Sequence, residues 1–198
     1  MNVLKFYDFI NERSKNDPIP EIYLSEKVGI ILLGTPGIGK STFCKDFILP
    51  KNNNFKIFST DDVSLAFTKD PNVYKKGSSE LNLNRLSLYI KNGGDFIYDT
   101  TGVHYENIER IFSEANKENY KLIFIHLVGP LDISIKQNRL RDRNVPEEYI
   151  SSAYERQYMN MRKFLNLNPD SYYIVQSNDG KYKFSKYTTS GIIKNYLR

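Results

Sequence analysis

Apolar residues recur along this chain in two ways, as short unbroken runs and at 3.6-residue periods, and the two alternate. The first run, over residues 28–33, stops at Gly34, the pattern of a strand covered on both faces. Helical spacing over residues 40–48 follows, then a second strand at 55–58. Residues 69–79 predict a loop, with Pro71 and Gly77 as breakers,. A helix over 80–91 ends at Gly93 and Gly94,, and residues 96–98 predict the third strand. Ile108, Ile111, Phe112 and Ala115 fall at i, i+3, i+4 and i+7, an amphipathic helix,. A fourth strand at 122–128 turns at Gly129 and Pro130 into a helix over 132–140. Ile150, Ala153, Tyr154, Tyr158 and Met161 mark the next helix, and residues 172–175 the fifth strand,.

Strands alternating with helices predict an α/β fold, a mostly parallel five-stranded sheet with helices on both faces. Neither an internal repeat nor a long linker divides the chain, so residues 1–198 are expected to form one domain with its core over 28–176. Val3, Phe6, Tyr7 and Ile10 predict a short helix in the N-terminal segment 1–20, broken near Pro18 and Pro20,. The extension 177–198 predicts a short strand at 182–184 and a closing helix at 192–197. In such sheets ligands bind beyond the carboxyl ends of the strands, and the chemistry-bearing residues fall at that edge.

Gly34, Thr35, Pro36, Gly37, Ile38, Gly39, Lys40 and Ser41 match G-x-x-x-x-G-K-[ST] in full, between a strand pattern and a helix pattern,. Glycines let such a loop wrap tightly with its amide hydrogens turned inward as an anion nest, and the following helix presents its positive end. Lys40 is expected to reach the β and γ phosphates of a nucleoside triphosphate, Ser41 to ligate Mg2+, and Thr42 to contact the α phosphate. The bland alternative, a ligand-free glycine-rich turn, does not account for the complete motif in this setting.

The strand before Asp99 continues into Thr100 and Thr101 rather than a second acid, unlike the usual pattern of motors and helicases. A GTPase base reader is also lacking, since Asn116, Lys117, Glu118 and Asn119 end in Asn. Both omissions argue against hydrolysis as the purpose. Asp61 follows the second strand, where a carboxylate faces the γ phosphate and can accept the proton of an attacking hydroxyl. The competing reading is that Ser59, Thr60 or Asp61 only caps a helix starting near Asp62, with Asp62 as first-turn charge. Asp99 is placed to hold Ser41 or a metal-bound water. Arg139, Arg141 and Arg143 follow the helix after strand four, where arginines on a mobile segment close over a nucleotide. The alternative is a solvated helix face with Arg143 paired to Glu147. Arg141 is the first choice for the acting arginine, with Arg139 and Arg143 beside the nucleotide.

A formal charge of +5 is a mild lean toward polyanionic partners,. The single cysteine, Cys44, rules out an internal disulfide and fits a reducing compartment,. No segment has the ~18 apolar residues of a membrane span, and the acidic, amphipathic start is unlike a signal peptide. A cytoplasmic location is the expectation. His126, in an apolar strand, reads as a satisfied core residue, and His104 has no assigned role.

Four segments in order carry a resemblance: Gly34 to Thr42, Ser59 to Asp62, Phe96 to Thr101, and Lys136 to Arg143 leading into Val145 and Pro146. Together they make the chain similar to the kinase domain of bacteriophage polynucleotide 5′-kinase and to related P-loop kinases, among them tRNA kinases and zeta-type toxins. The resemblance implies a P-loop kinase fold with an arginine-bearing lid, ATP and Mg2+ as cofactors, and a DNA or RNA 5′ end as acceptor. It implies Lys40 and Ser41 on the triphosphate and metal, Asp61 as general base, Asp99 on the metal side and Arg141 as the lid arginine. A small hydroxyl acceptor (nucleoside, nucleotide or sugar derivative) and a non-catalytic nucleotide-binding module are the alternatives. The chain departs from the phage-type pattern at Ser64, where those kinases carry an arginine for an acceptor phosphate; Lys69, Lys75 and Lys76 follow close by.

Overall fold

A computed structural model of the chain describes residues 27–50, 54–70, 73, 75–178 and 181–187. The helices expected in segment 1–20 and at 192–197 lie outside the described residues. The elements are β1 (Val28–Leu33), α1 (Lys40–Phe43) running into a π-helical turn (Cys44–Ile48), β2 (Lys56–Ser59) and α2 (Thr60–Thr68). They continue with α3 (Ser78–Lys91), β3 (Phe96–Thr100), α4 (Tyr105–Lys117), β4 (Lys121–Val128) and α5 (Leu131–Arg139). α6 (Glu147–Asn166), β5 (Ser171–Asn178) and β6 (Lys181–Tyr187) complete the described elements.

The strands form one sheet in the order β2-β3-β1-β4-β5-β6, parallel except for the β5–β6 pair. Period-two alternation along β1 divides the core. Ile31 and Leu33 join a cluster with Leu83, Leu86 and Ile90 of α3, Ile108, Ile111 and Phe112 of α4, and Phe164 of α6. Val28, Ile30 and Leu32 face the other way, onto Phe43, Cys44 and Ile48. Each fully buried Ile, Leu or Phe in these layers contributes about 1.5–3 kcal/mol, so the central strand is held from both sides.

Three expectations need correction. Among the described residues the sheet has six strands rather than five. Lys181, Lys183 and Lys186 interrupt the apolar positions of the last strand, which made it look short, but backbone pairing with β5 extends it from Asn178↔Lys181 to Tyr172↔Tyr187. The helix over 40–48 is not α-helical throughout: the Leu49 amide donates to Cys44 O at 3.0 Å, an i→i+5 bond,. That wider turn lets Phe43 and Ile48, five residues apart, both bury. Finally, β3 runs through Thr100, because its ladder with β1 continues past Tyr98 to Leu33↔Thr100. Asp99 therefore lies within a strand, paired in register with Leu32 on one side and Ser59 on the other. The carboxyl ends of β1, β2 and β3 come level at one edge of the sheet.

Candidate active site

Beyond that edge the loop from Gly34 to Gly39 wraps into the first turn of α1. Its fit to a polyphosphate can be judged from what its side chains do. Thr35, Pro36 and Ile38 are buried, so only their backbone is left to face a ligand. A Cβ at Gly37 (φ 83°) would collide with the Ser134 carbonyl, and one at Gly39 (φ 95°) would come within 2.8 Å of Tyr182 Oη. Both positions need glycine for conformation and for space. Thr35 Oγ1 and Ser134 Oγ, 3.1 Å apart, join the loop to the first turn of α5. Ser41 and Thr42 are exposed on the opening turn of α1.

Lys40 folds over the loop, donating from Nζ to Gly34 O at 2.8 Å and Thr35 O at 3.4 Å. Its ammonium is 3.7 Å from Asp99 Oδ1, with the two side chains 12% and 18% exposed. Burial pushes the Lys40 pKa down and that of Asp99 up, while their mutual attraction opposes both shifts. A cation already desolvated and aimed into an amide-lined loop suits an anionic ligand.

Across the edge, Ser59 caps α2, its Oγ accepting from the Asp61 amide at 3.2 Å. Because Ser59 does the capping, the Asp61 carboxylate is available for another task. It forms an ion pair with Arg143. Burial and the Asp61 charge raise the pKa of Asp62, with Arg85 acting against them. Ser64 is buried and committed: its hydroxyl donates to Val73 O at 3.1 Å and accepts from the Lys75 amide at 2.7 Å. Instead of reaching into the cleft, that side chain staples the segment after α2.

The three lid arginines separate. Arg139 pairs with Glu147, Nη2 at 2.6 Å and Nε at 2.7 Å; the sequence had suggested Arg143 for that partner. Glu147 opens α6 opposite the last turn of α5, which is where Arg139 stands, and Arg143 is freed to cross to Asp61. Arg141 lies where its charge acts on both Lys40 and Asp99. Thus Lys40 pairs with Asp99, Asp61 with Arg143 and Arg139 with Glu147, while the charges of Arg141 and Asp61 both reach the Lys40–Asp99 pair.

Several residues of this constellation were not singled out from sequence. Asn138, fully buried on α5, donates to Asn144 Oδ1 at 2.7 Å and Val145 O at 2.8 Å, and accepts from the Val145 amide at 3.2 Å. It pins both ends of the lid turn. Asn160 of α6 donates to Gly102 O at 3.0 Å and Val103 O at 3.1 Å, fixing the loop after β3. His126 is buried as expected, with Nδ1 2.9 Å from Tyr172 Oη. Its Nε2 and Gln157 Oε1 make no short hydrogen bond, yet Gln157 stands near enough to favour the protonated ring against the effect of burial. A usable signal existed: polar side chains stand at positions where the helical period asks for apolar ones.

Similarity to known proteins agrees with this geometry. The chain is 28% identical over 130 residues to the L-seryl-tRNA(Sec) kinase of Methanococcus maripaludis, covering 64% of this chain and 51% of that one. It therefore spans about half the length of that relative. Among solved structures it resembles the AvrRxo1-ORF1:-ORF2 complex with ATP, at a TM-score of 0.66 and 16% identity, over 81% of this chain and 60% of the other. It also resembles the PezAT toxin-antitoxin system of Streptococcus pneumoniae, at a TM-score of 0.62 and 15% identity, over 90% and 77% of the two chains. At such identities these structures speak for the fold, that of the P-loop kinases. Residues 30–166, well over half of the chain, match the AAA domain family AAA_33, and the chain belongs to this family of P-loop kinases.

Proposed function

We propose that the chain is an ATP-dependent phosphotransferase that moves the γ-phosphate onto a hydroxyl, with the 5′-hydroxyl of a polynucleotide as its acceptor. One observation carries the reading: a carboxylate that neither caps its helix nor pairs within its own element, Asp61, holds Arg143 and lies close enough to Lys40 for their charges to interact. Ser41 and Asp99 are the residues that would hold magnesium, and their chemistry fits, an exposed hydroxyl on the first turn of α1 and a carboxylate that lies against Lys40. The metal would draw charge from the phosphate oxygens when bound.

The steps assigned to the chain itself are few, because phosphoryl transfer needs positioning and charge neutralisation more than covalent help. The loop amides and Lys40 hold the phosphates in line with the acceptor. Asp61 takes the proton of the attacking hydroxyl onto a carboxylate oxygen as the new O–P bond forms and the bond from the γ-phosphorus to the β,γ-bridging oxygen breaks, ADP leaving with that electron pair. Arg141, whose charge reaches Lys40 and Asp99, meets negative charge accumulating on the transferred group. Arg139 and Arg143 belong to the same lid over the nucleotide, and Thr42 to the first helical turn facing it. The basic loop with Lys69, Lys75 and Lys76, together with the net charge, supports a polyanionic acceptor.

A second reading is favoured by Ser64. With that side chain spent on Val73 and Lys75, α2 offers no cation three residues beyond the base, which suits a small hydroxyl acceptor. Incubation with γ-labelled ATP and a panel of 5′-hydroxyl oligonucleotides, nucleosides and sugar derivatives separates the two. Label on oligonucleotides supports the first. Label on a small acceptor alone overturns it, and label on none, with ATP still bound, favours a nucleotide-binding module.

A further inference from the structure

The last two strands have no part in the chemistry described so far, yet two of their side chains reach the phosphate loop. Ser177, at the end of β5 and 1% exposed, donates from Oγ to Ile38 O at 2.9 Å. Tyr182, on β6, donates from Oη to Gly39 O at 3.1 Å. The tyrosine ring is set edge-on against Phe43 at 5.3 Å and Phe47 at 5.4 Å between centroids, so its hydroxyl has a defined address. Strand β6 is thus the element that brings a donor to the outside of the loop, opposite the cleft.

Peptide geometry turns this contact into a statement about the inside. In a planar trans peptide the C=O and the N–H of one unit point in opposite directions. The unit that carries Ile38 O also carries the Gly39 amide, and the unit that carries Gly39 O also carries the Lys40 amide. Holding the two carbonyls outward on Ser177 and Tyr182 aims those two N–H groups into the loop, where an anion nest needs them. The Gly39 carbonyl additionally accepts from the Phe43 amide at 2.9 Å, which links the same peptide to the start of α1. The Ile38 amide is spent on Thr35 O at 3.3 Å, so the inward donors at this bend are those of Gly39 and Lys40.

We infer that Ser177 and Tyr182 are positioning residues for nucleotide binding, a clamp from the C-terminal hairpin that orients the Gly39 and Lys40 amides toward the diphosphate portion of the nucleotide. The clamp acts on phosphate and not on base or acceptor, because it touches only the carbonyls behind the loop. It also gives the segment after residue 176 a role in the site. The inference requires nucleotide to enter the loop but does not depend on which acceptor is used.

Calorimetric titration of the intact chain with AMP, ADP and ATP in magnesium tests it, with Tyr182→Phe, Tyr182→Ala and Ser177→Ala beside wild type. Tyr182→Phe keeps the ring on Phe43 and Phe47 and removes only the hydroxyl. Loss of one such bond should weaken ADP and ATP about 3- to 10-fold, leave AMP nearly unchanged, and shift the Tm of nucleotide-free protein little. Ser177→Ala should act in the same direction. The assignment is overturned if Tyr182→Phe binds ADP like wild type while Tyr182→Ala does not, which would leave only ring packing. It is equally overturned if AMP and ADP weaken together. Should Ser177→Ala fail to fold, the tyrosine pair decides alone. If wild type binds none of the three, it is the nucleotide-site reading that has failed.

Discussion

The clearest pH signature of this fold comes from His126. It is fully buried, and burial lowers its pKa from 6.5 to about 4. The unfolded chain regains an ordinary imidazole, with a pKa of about 6.5. Between those two values the unfolded state therefore binds more protons than the native one, and stability rises with pH across the window. The contribution is complete above the unfolded value and is lost progressively as pH falls toward the folded one. A difference of about 2.5 pKa units corresponds to about 3 kcal/mol in full, of which about 2 kcal/mol disappears between pH 7 and pH 5. Urea denaturation at half-unit steps from pH 4.5 to 7.5, on wild type and on His126→Gln, reads it directly. The carboxylates titrate in both proteins and cancel in the difference. His104, the other histidine, is exposed and likewise common to both. The difference between the two stabilities should narrow by about 2 kcal/mol from pH 7 to pH 5. A difference that stays constant with pH would refute the buried, neutral imidazole.

Three further outcomes are expected. Asp61→Asn should reduce phosphoryl transfer about 10²–10⁴-fold, as for loss of a general base, with little change in ATP affinity by calorimetry; retained transfer would remove Asp61 from the mechanism. Arg141→Ala should slow turnover in a steady-state assay while leaving the melting temperature nearly unchanged, and full activity would remove it from the lid chemistry. Asn138→Ala breaks the bonds that fix Asn144 and Val145; at about 1 kcal/mol net per bond it should cost about 2–3 kcal/mol in denaturant titration and lower kcat as well, whereas an unchanged midpoint would show that the lid turn is held by other contacts.

How much of this could be read from the amino acids differs by level. The central strands were legible because they are apolar runs, broken in β4 only by His126, and the phosphate loop because its glycines answer two requirements at once, positive φ and lack of space at Gly37 and Gly39. The extent of β6 was hidden by lysines among its apolar positions, since backbone pairing with β5, not side-chain burial, sets the length of an edge strand. The partners of the lid arginines were hidden for a related reason. Three arginines in five residues have equivalent local surroundings, and only the placement of Glu147 and Asp61 in space distinguishes them. Ser177 and Tyr182 act on the loop from 139 and 143 residues away in sequence, a separation that no local pattern reports.

The contact between Ser134 and the phosphate loop couples two elements that lie far apart in sequence. With Thr35 bonded to that serine and Gly37 packed on its carbonyl, the first turns of α5 travel with the loop as one body. A displacement of α5 would therefore be felt at Thr35 and Gly37, so the helix that leads into the arginine segment and the loop that opens α1 are mechanically linked.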